Sequence, residues 1–218
     1  MVTNGLRAPI APGEPAPDFV LPAVDGNGSV SLADYRGKSS VFLALFVGLW
    51  CPFCRRAIAQ VAANESKLKP LGVETLGVVA TVPENARLYF KFRPCRLRLG
   101  ADPELSTHRA YGLPKPEPTP ELMQEMATVR INPDGDLPEP LPPEQAAAAA
   151  TKIDGYMMTE TDAAEVARQW PQLKGQFLVD RDGIVRWANI ECGVEGLAGI
   201  GKFPSLGEIL TAVESLPR

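Results

Sequence analysis

Only one histidine, His108, and four cysteines occur among the 218 residues. A tetrahedral zinc site needs four ligands, so with a single histidine to offer it would have to gather Cys95, Cys192 or carboxylates from distant parts of the chain. No metal or other cofactor is expected. Positive charge is scarce as well: Lys and Arg number 22 against 26 Asp and Glu, a formal charge of −4, which gives phosphate backbones no general attraction and excludes nucleic acid as the expected partner. Long apolar runs are missing too. The most apolar stretch, Val41 to Trp50, is about half of the ~20 residues a helix needs to cross a bilayer, so it reads as a buried strand and no membrane partner is expected. Met1 to Gly13 holds no basic segment followed by an apolar one of the kind a secretion signal carries, and the expected location is the cytoplasm. Four cysteines in that setting do not make the disulfide framework of a small secreted domain. Chemistry or plain burial must explain them.

What is present fits a soluble globular protein: 45% hydrophobic and 22% charged residues. The length suits one domain, 1–218, carrying an elaboration. Val41 to Val47 shows no polar alternation, as expected of a central strand covered on both faces, which requires helices on both sides of the sheet. From Pro52 the pattern becomes helical, with Ile58, Val61 and Ala62 at three-to-four spacing and Gly72 closing that region. Val73 to Val79 reads as a strand, Glu84 to Phe92 as a helix, Leu97 to Leu99 as a shorter strand, and a short helix leads to Tyr111 and Gly112. The proline-rich stretch 114–171, with the alanine run Ala146 to Ala150, has a different character and reads as an insertion; its segment Glu160 to Trp170 is helical in pattern. Gln176 to Asp180 and Ile184 to Ile190 flank Asp182-Gly183, a hairpin signal. Leu206 to Leu216 forms a final amphipathic helix.

Trp50-Cys51-Pro52-Phe53-Cys54-Arg55-Arg56 carries the chemistry. It closes a buried strand and opens a helix, with Pro52 in the first turn, where its missing N–H is not needed. Cys51 therefore stands at a helix N-terminus, where unpaired N–H groups and the helix dipole favour a thiolate. Free cysteine titrates at about 8.5, and such positions lower it to roughly 3.5–7.5. Arg55 and Arg56 add positive charge beside it unless they are merely solvated. Cys54, one turn along, can close a disulfide with Cys51 and release a mixed-disulfide partner. Two inert thiols, half of a zinc site and a static disulfide are the competing readings of the same spacing.

Four motifs in order resemble the AhpC/TSA peroxiredoxin-like (redoxin) family. They are Gly13-Glu14-Pro15-Ala16-Pro17-Asp18-Phe19-Val20-Leu21, the Trp-Cys-x-x-Cys strand end, Asp102-Pro103 with Tyr111-Gly112-Leu113, and Leu173-Lys174-Gly175-Gln176-Phe177 running to Gly183. The resemblance covers Gly13 to Leu113 and Gln172 to Leu216. It implies an α/β, thioredoxin-like fold: a central mixed sheet with helices on both faces and the insertion placed before the C-terminal hairpin. It also implies an oxidoreductase that acts on a protein or small-molecule disulfide, or on peroxide, and is recharged by a thiol reductant. In peroxiredoxins a Thr-x-x-Cys supplies the peroxidatic cysteine; by that alignment Cys54 takes its place and Cys51 replaces the threonine. The arginine that supports the thiolate is replaced by Leu105, a second arginine by Lys174, and the cis-proline of thioredoxins by Lys174-Gly175.

The first expectation is a thiol-disulfide oxidoreductase in which Cys51 attacks and Cys54 resolves. The alternatives are a thiol peroxidase with Cys54 attacking, and a redox-sensing binding protein. Trp50, Pro52, Arg55 and Lys174 are the expected supporting residues. The insertion should approach the active-site end of the sheet, because it delivers the chain to Lys174. Hairpin topology brings Glu191 and Cys192 to the same end, with Glu191 a candidate proton acceptor, and sends Cys95 to the opposite pole.

Overall fold

The computed structural model describes residues 8–217, so residues 1–7 of the stretch expected to lack a signal lie outside the described residues. Its strands are β1 (Val20–Pro22), β2 (Ser29–Ser31), β3 (Ser40–Phe46), β4 (Val73–Val79), β5 (Arg98–Ala101), β6 (Gly175–Val179) and β7 (Val185–Ile190). The last five form one sheet in the order β5-β4-β3-β6-β7. β3 pairs in parallel with β4 and antiparallel with β6, β4 in parallel with β5, and β6 antiparallel with β7. The sheet is mixed, and β3 is its middle strand. At mid-strand Leu43 lies opposite Leu76 on one side and Phe177 on the other.

Every residue of β3 is buried, and period-two alternation sends its side chains into two separate cores. Phe42, Ala44 and Phe46 pack with Ala57, Ile58 and Val61 of α1 (Pro52–Leu68), Ala86 of α2 (Pro83–Phe92), and Ile209 and Val213 of α7 (Leu206–Glu214). Val41, Leu43 and Leu45 face a smaller cluster built from Ile10, the β1–β2 hairpin, and Ala110 and Tyr111 at the end of α3 (Ser106–Ala110). Helices thus reach both faces, unequally: the second face has one short helix and leans on the hairpin. Local signals account for the helix ends. Cys51 caps α1 with Pro52 in its first turn, Gly72 (φ 76°) ends the 3-10 turn that follows it, and capping boxes open α7 at Ser205 and α6 (Glu160–Gln169) at Thr159.

The insertion is ordered and packed. It contains α4 (Pro120–Thr128), α5 (Pro143–Ile153) and α6, and a bridge joins Ile131 to Leu141. Ile131, Leu137, Ala146 and Ala150 lie in the same core as α1 and β3, so the alanine run puts its first and last residues, one turn apart, on the inward face of α5. Among the described residues no helix is long and apolar enough to cross a membrane.

Candidate dithiol site

The chain leaves β3 through Gly48, Leu49 and Trp50, turns, and enters α1 at Cys51. Cys51 N–H donates to the Gly48 carbonyl at 3.1 Å. Gly48 must be glycine here: a Cβ would stand 2.4 Å from the Trp50 ring that lies across it. At the cap, Cys54 N–H donates to the Cys51 sulfur at 3.3 Å, the orphan-donor arrangement expected of a helix N-terminus. Both cysteines are free thiols. Cys51 reaches the surface with 9% of its area, whereas Cys54 has 0%, so an incoming disulfide meets Cys51 first.

The two sulfurs are electrostatically unequal. Cys51 is held below the ordinary thiol value by the Cys54 thiol that donates to it, against the opposing effect of burial; Lys174 favours its thiolate and Glu191 disfavours it. Cys54 is pushed well above that value by burial, and then by the partner sulfur it bonds. Of the two, Cys51 is the thiol that gives up its proton more readily.

The cation of the site is Lys174. Its side chain is buried, with Nζ 3.3 Å from the Glu191 carboxylate, 3.0 Å from the Gly201 carbonyl and 6.0 Å from the Phe53 ring centre. Burial lowers its basicity, but Glu191 and the two cysteines outweigh burial and hold it above the usual lysine value. Glu191 also accepts from Lys174 N–H at 3.2 Å and from Gly201 N–H at 2.8 Å. It therefore anchors the Lys174 backbone to the loop after β7, where Gly201 (φ 82°) has no room for a side chain because a Cβ would lie 2.9 Å from Phe53.

Arg55 does different work from the thiolate support expected of it. Buried at 5%, it donates to the Leu49 and Trp50 carbonyls at 2.8 and 3.2 Å, pairs with Asp154 at 3.0 Å, and lies 4.1 Å over the Tyr156 ring. Arg56 pairs with Asp134, Asp136 and Asp154. Those carboxylates belong to the insertion, so both guanidinium groups are spent fastening it to the start of α1.

A residue that motif reading missed completes the site. Gln169, fully buried at the end of α6, accepts from Gly48 N–H and from the Trp50 indole N–H, both at 2.9 Å, and donates to the Ala80 carbonyl. The insertion reaches the dithiol end of the sheet, as the topology required. Cys192 shares Lys174 and Glu191 with the pair, but burial and then Glu191 push its thiol up to about 12, which disfavours its thiolate. Cys95 lines a groove of about 480 Å³ with Arg55, Ile58, Ala62 and Phe90. Leu105, in the place of the supporting arginine, is buried and left-handed (φ 57°). Among the described residues no group of three or more His, Cys, Asp or Glu side chains could hold a metal ion.

A mixed sheet whose middle strand delivers a Cys-x-x-Cys to a helix N-terminus defines a thioredoxin-like redoxin. The chain belongs to the AhpC/TSA family, whose model matches residues 12–139. That span holds both cysteines and ends inside the insertion, leaving β6 and β7 beyond it. Over 103 residues the chain is 30% identical to Rv2521 of Mycobacterium tuberculosis, provisionally named a peroxiredoxin, covering 47% of this chain and 64% of that one. Over 114 residues it is 35% identical to the thiol-disulfide oxidoreductase ResA of Halalkalibacterium halodurans, 52% of this chain and 62% of that one. The chain thus spans somewhat under two thirds of either relative. The reduced 2-Cys peroxiredoxin of Plasmodium vivax shares the fold, with a TM-score of 0.59 at 19% identity over 95% of this chain and 82% of that one.

Proposed function

We propose that this protein is a thiol-disulfide oxidoreductase in which Cys51 attacks and Cys54 resolves. The observation that carries this reading is the inequality of the two sulfurs: the less deeply buried one, at the helix cap, is the more acidic, and the fully buried one holds its proton more tightly. The Cys51 thiolate attacks one sulfur of a substrate disulfide, and the other sulfur leaves as a thiolate that takes up a proton. Cys54 then loses its proton and attacks the Cys51 sulfur, releasing the second substrate thiol. The substrate gains two electrons and the protein is left as the Cys51–Cys54 disulfide, which an external thiol reductant must open again. Lys174 offsets negative charge on either sulfur during both steps. A cytoplasmic setting is part of the proposal.

Peroxide is the second reading. It is favoured by Lys174, a cation acting on Cys54 from the position where the family has an arginine. Here Cys54 would attack peroxide, giving water and a sulfenic acid that Cys51 condenses to the same disulfide.

The two separate in single-cysteine variants. Cys51→Ser should abolish turnover of a model disulfide while leaving the fold intact, and Cys54→Ser should trap the mixed disulfide on Cys51, visible by mass spectrometry. A Cys51→Ser protein in which hydrogen peroxide still oxidises Cys54 at the wild-type rate, stopping at the sulfenic acid, would select the peroxidase; one that still reduces disulfides would overturn the first reading.

A further inference from the structure

The inward face of α6 is polar. Asp162, Glu165 and Gln169, spaced to lie on one side of the helix, are all buried, at 0%, 2% and 0% exposure. Asp162 accepts from Asn85 at 3.1 Å, and Glu165 accepts from the Thr81 hydroxyl and Val82 N–H at 2.7 and 3.1 Å. These two hold the helix to the end of β4 and the start of α2. Gln169 alone reaches the turn that carries Cys51.

The carboxamide of Gln169 is engaged at both its oxygen and its nitrogen. Its oxygen takes Gly48 N–H and the Trp50 indole, filling both lone-pair directions, and its nitrogen binds Ala80, the residue after β4. Gly48 in turn accepts from Cys51 N–H. The turn is gripped on its carbonyl side by Arg55, through Leu49 and Trp50, and on its N–H side by Gln169. Asp154 pins Arg55, so both grips depend on the insertion. We propose that Gln169 is a positioning residue of the dithiol site: it holds the Gly48–Cys51 turn so that the Cys51 sulfur stays at the cap, in line with Cys54 N–H.

This rests on the reading that Cys51 is the attacking thiol. Without the amide oxygen, Gly48 N–H and the indole lose their partner inside the protein and the turn must rearrange to find others, which draws the sulfur away from its donors. The thiolate then loses stabilisation, and the effect is seen in acidity before it is seen in fold.

The test is the pH profile of alkylation by iodoacetamide, with the modified cysteine identified by mass spectrometry. Gln169→Met, close in size but without the amide, should move the Cys51 midpoint up by about one unit and slow alkylation roughly tenfold at pH values below both midpoints. Glu165→Gln removes a charge from the same helix face but touches no residue of the turn, and should leave the midpoint unchanged. An unchanged profile in Gln169→Met, or equal shifts in both variants, overturns the proposal, the second because it reduces Gln169 to one more docking contact. If Gln169→Met does not fold, the wild-type Trp50 indole proton decides: held by Gln169 it should exchange with solvent slowly by NMR, and fast exchange refutes the contact. Alkylation of wild-type protein at a cysteine other than Cys51 would instead defeat the underlying functional reading.

Discussion

Lys174 carries its charge to a place where 1% of the residue is exposed, and an ammonium ion left there without an anion would lose several kcal/mol of hydration. Glu191 compensates most of that loss, and the cysteine pair shares in the remainder, so the charge that costs hydration is the same charge that favours a thiolate. Replacing it tests the link. In Lys174→Met, Cys51 loses the attraction that opposes burial, and its pKa should rise by about one unit. Because only the thiolate reacts, alkylation should slow roughly tenfold at pH values below both midpoints, and the rates of variant and wild type should converge as pH climbs past them. A variant whose profile overlays the wild type would show that Lys174 serves only to anchor Glu191. Sequence reading reached Lys174 and Glu191 through a resemblance and through hairpin topology. It could not reach their pairing with Gly201, because that contact depends on how the loop after β7 folds back.

Elements that declare themselves by local pattern were readable beforehand. β3, β4, α1, α6, α7 and the β6–β7 hairpin follow from apolar runs, caps and the Asp-Gly turn, with ends misplaced by a residue or a few. α4 was not recognised, nor was α5 beyond its alanine turn, although Thr119-Pro120 and Pro142-Pro143 open them with a capping residue or a proline in the first turn. The grip of the insertion on the site was hidden for a physical reason. Arg55 meets Asp154 across 99 residues and Gly48 meets Gln169 across 121, and no periodicity reports a contact of that span. Arg55, read beside Cys54 alone, looks like thiolate support; in three dimensions it is a staple. Asp154→Ala should therefore destabilise the whole protein rather than a peripheral lobe, by about 3 kcal/mol, since it strands the nearly buried Arg55 without its anion. A single cooperative urea transition shifted to lower concentration is the expected result. Two separate transitions, or an unmoved midpoint, would mean the insertion folds independently of the sheet. Deleting most of Glu117 to Glu160 would by the same logic remove Ala146 and Ala150 from the main core and destabilise the protein as a whole.

At the scale of the whole molecule the only histidine becomes a stability sensor. His108 sits in α3 with 0% exposure, and neither ring nitrogen finds a hydrogen-bond partner. Burial lowers its pKa from 6.5 to about 4, only partly opposed by Asp102 and reinforced by Arg109. The folded state therefore keeps the ring neutral at pH values where the unfolded chain has already taken a proton. A group whose folded pKa lies below its unfolded one costs stability as pH falls, because the unfolded state binds the extra proton, and the loss runs from about pH 6.5 down to about pH 4. Complete passage through that window corresponds to roughly 3 kcal/mol, of which about 1.5 kcal/mol falls between pH 6.5 and 5, before most carboxylates begin to protonate. With no other histidine in the chain, any imidazole contribution to that early part belongs to His108. Urea unfolding at pH 7.5, 6.5, 5.5 and 5 should trace a decline in wild type that is absent in His108→Leu, which replaces the ring with an apolar side chain that needs no partner. Equal slopes in the two proteins would mean that the ring is hydrated or bonded in solution and that His108 is not the source of the acid sensitivity.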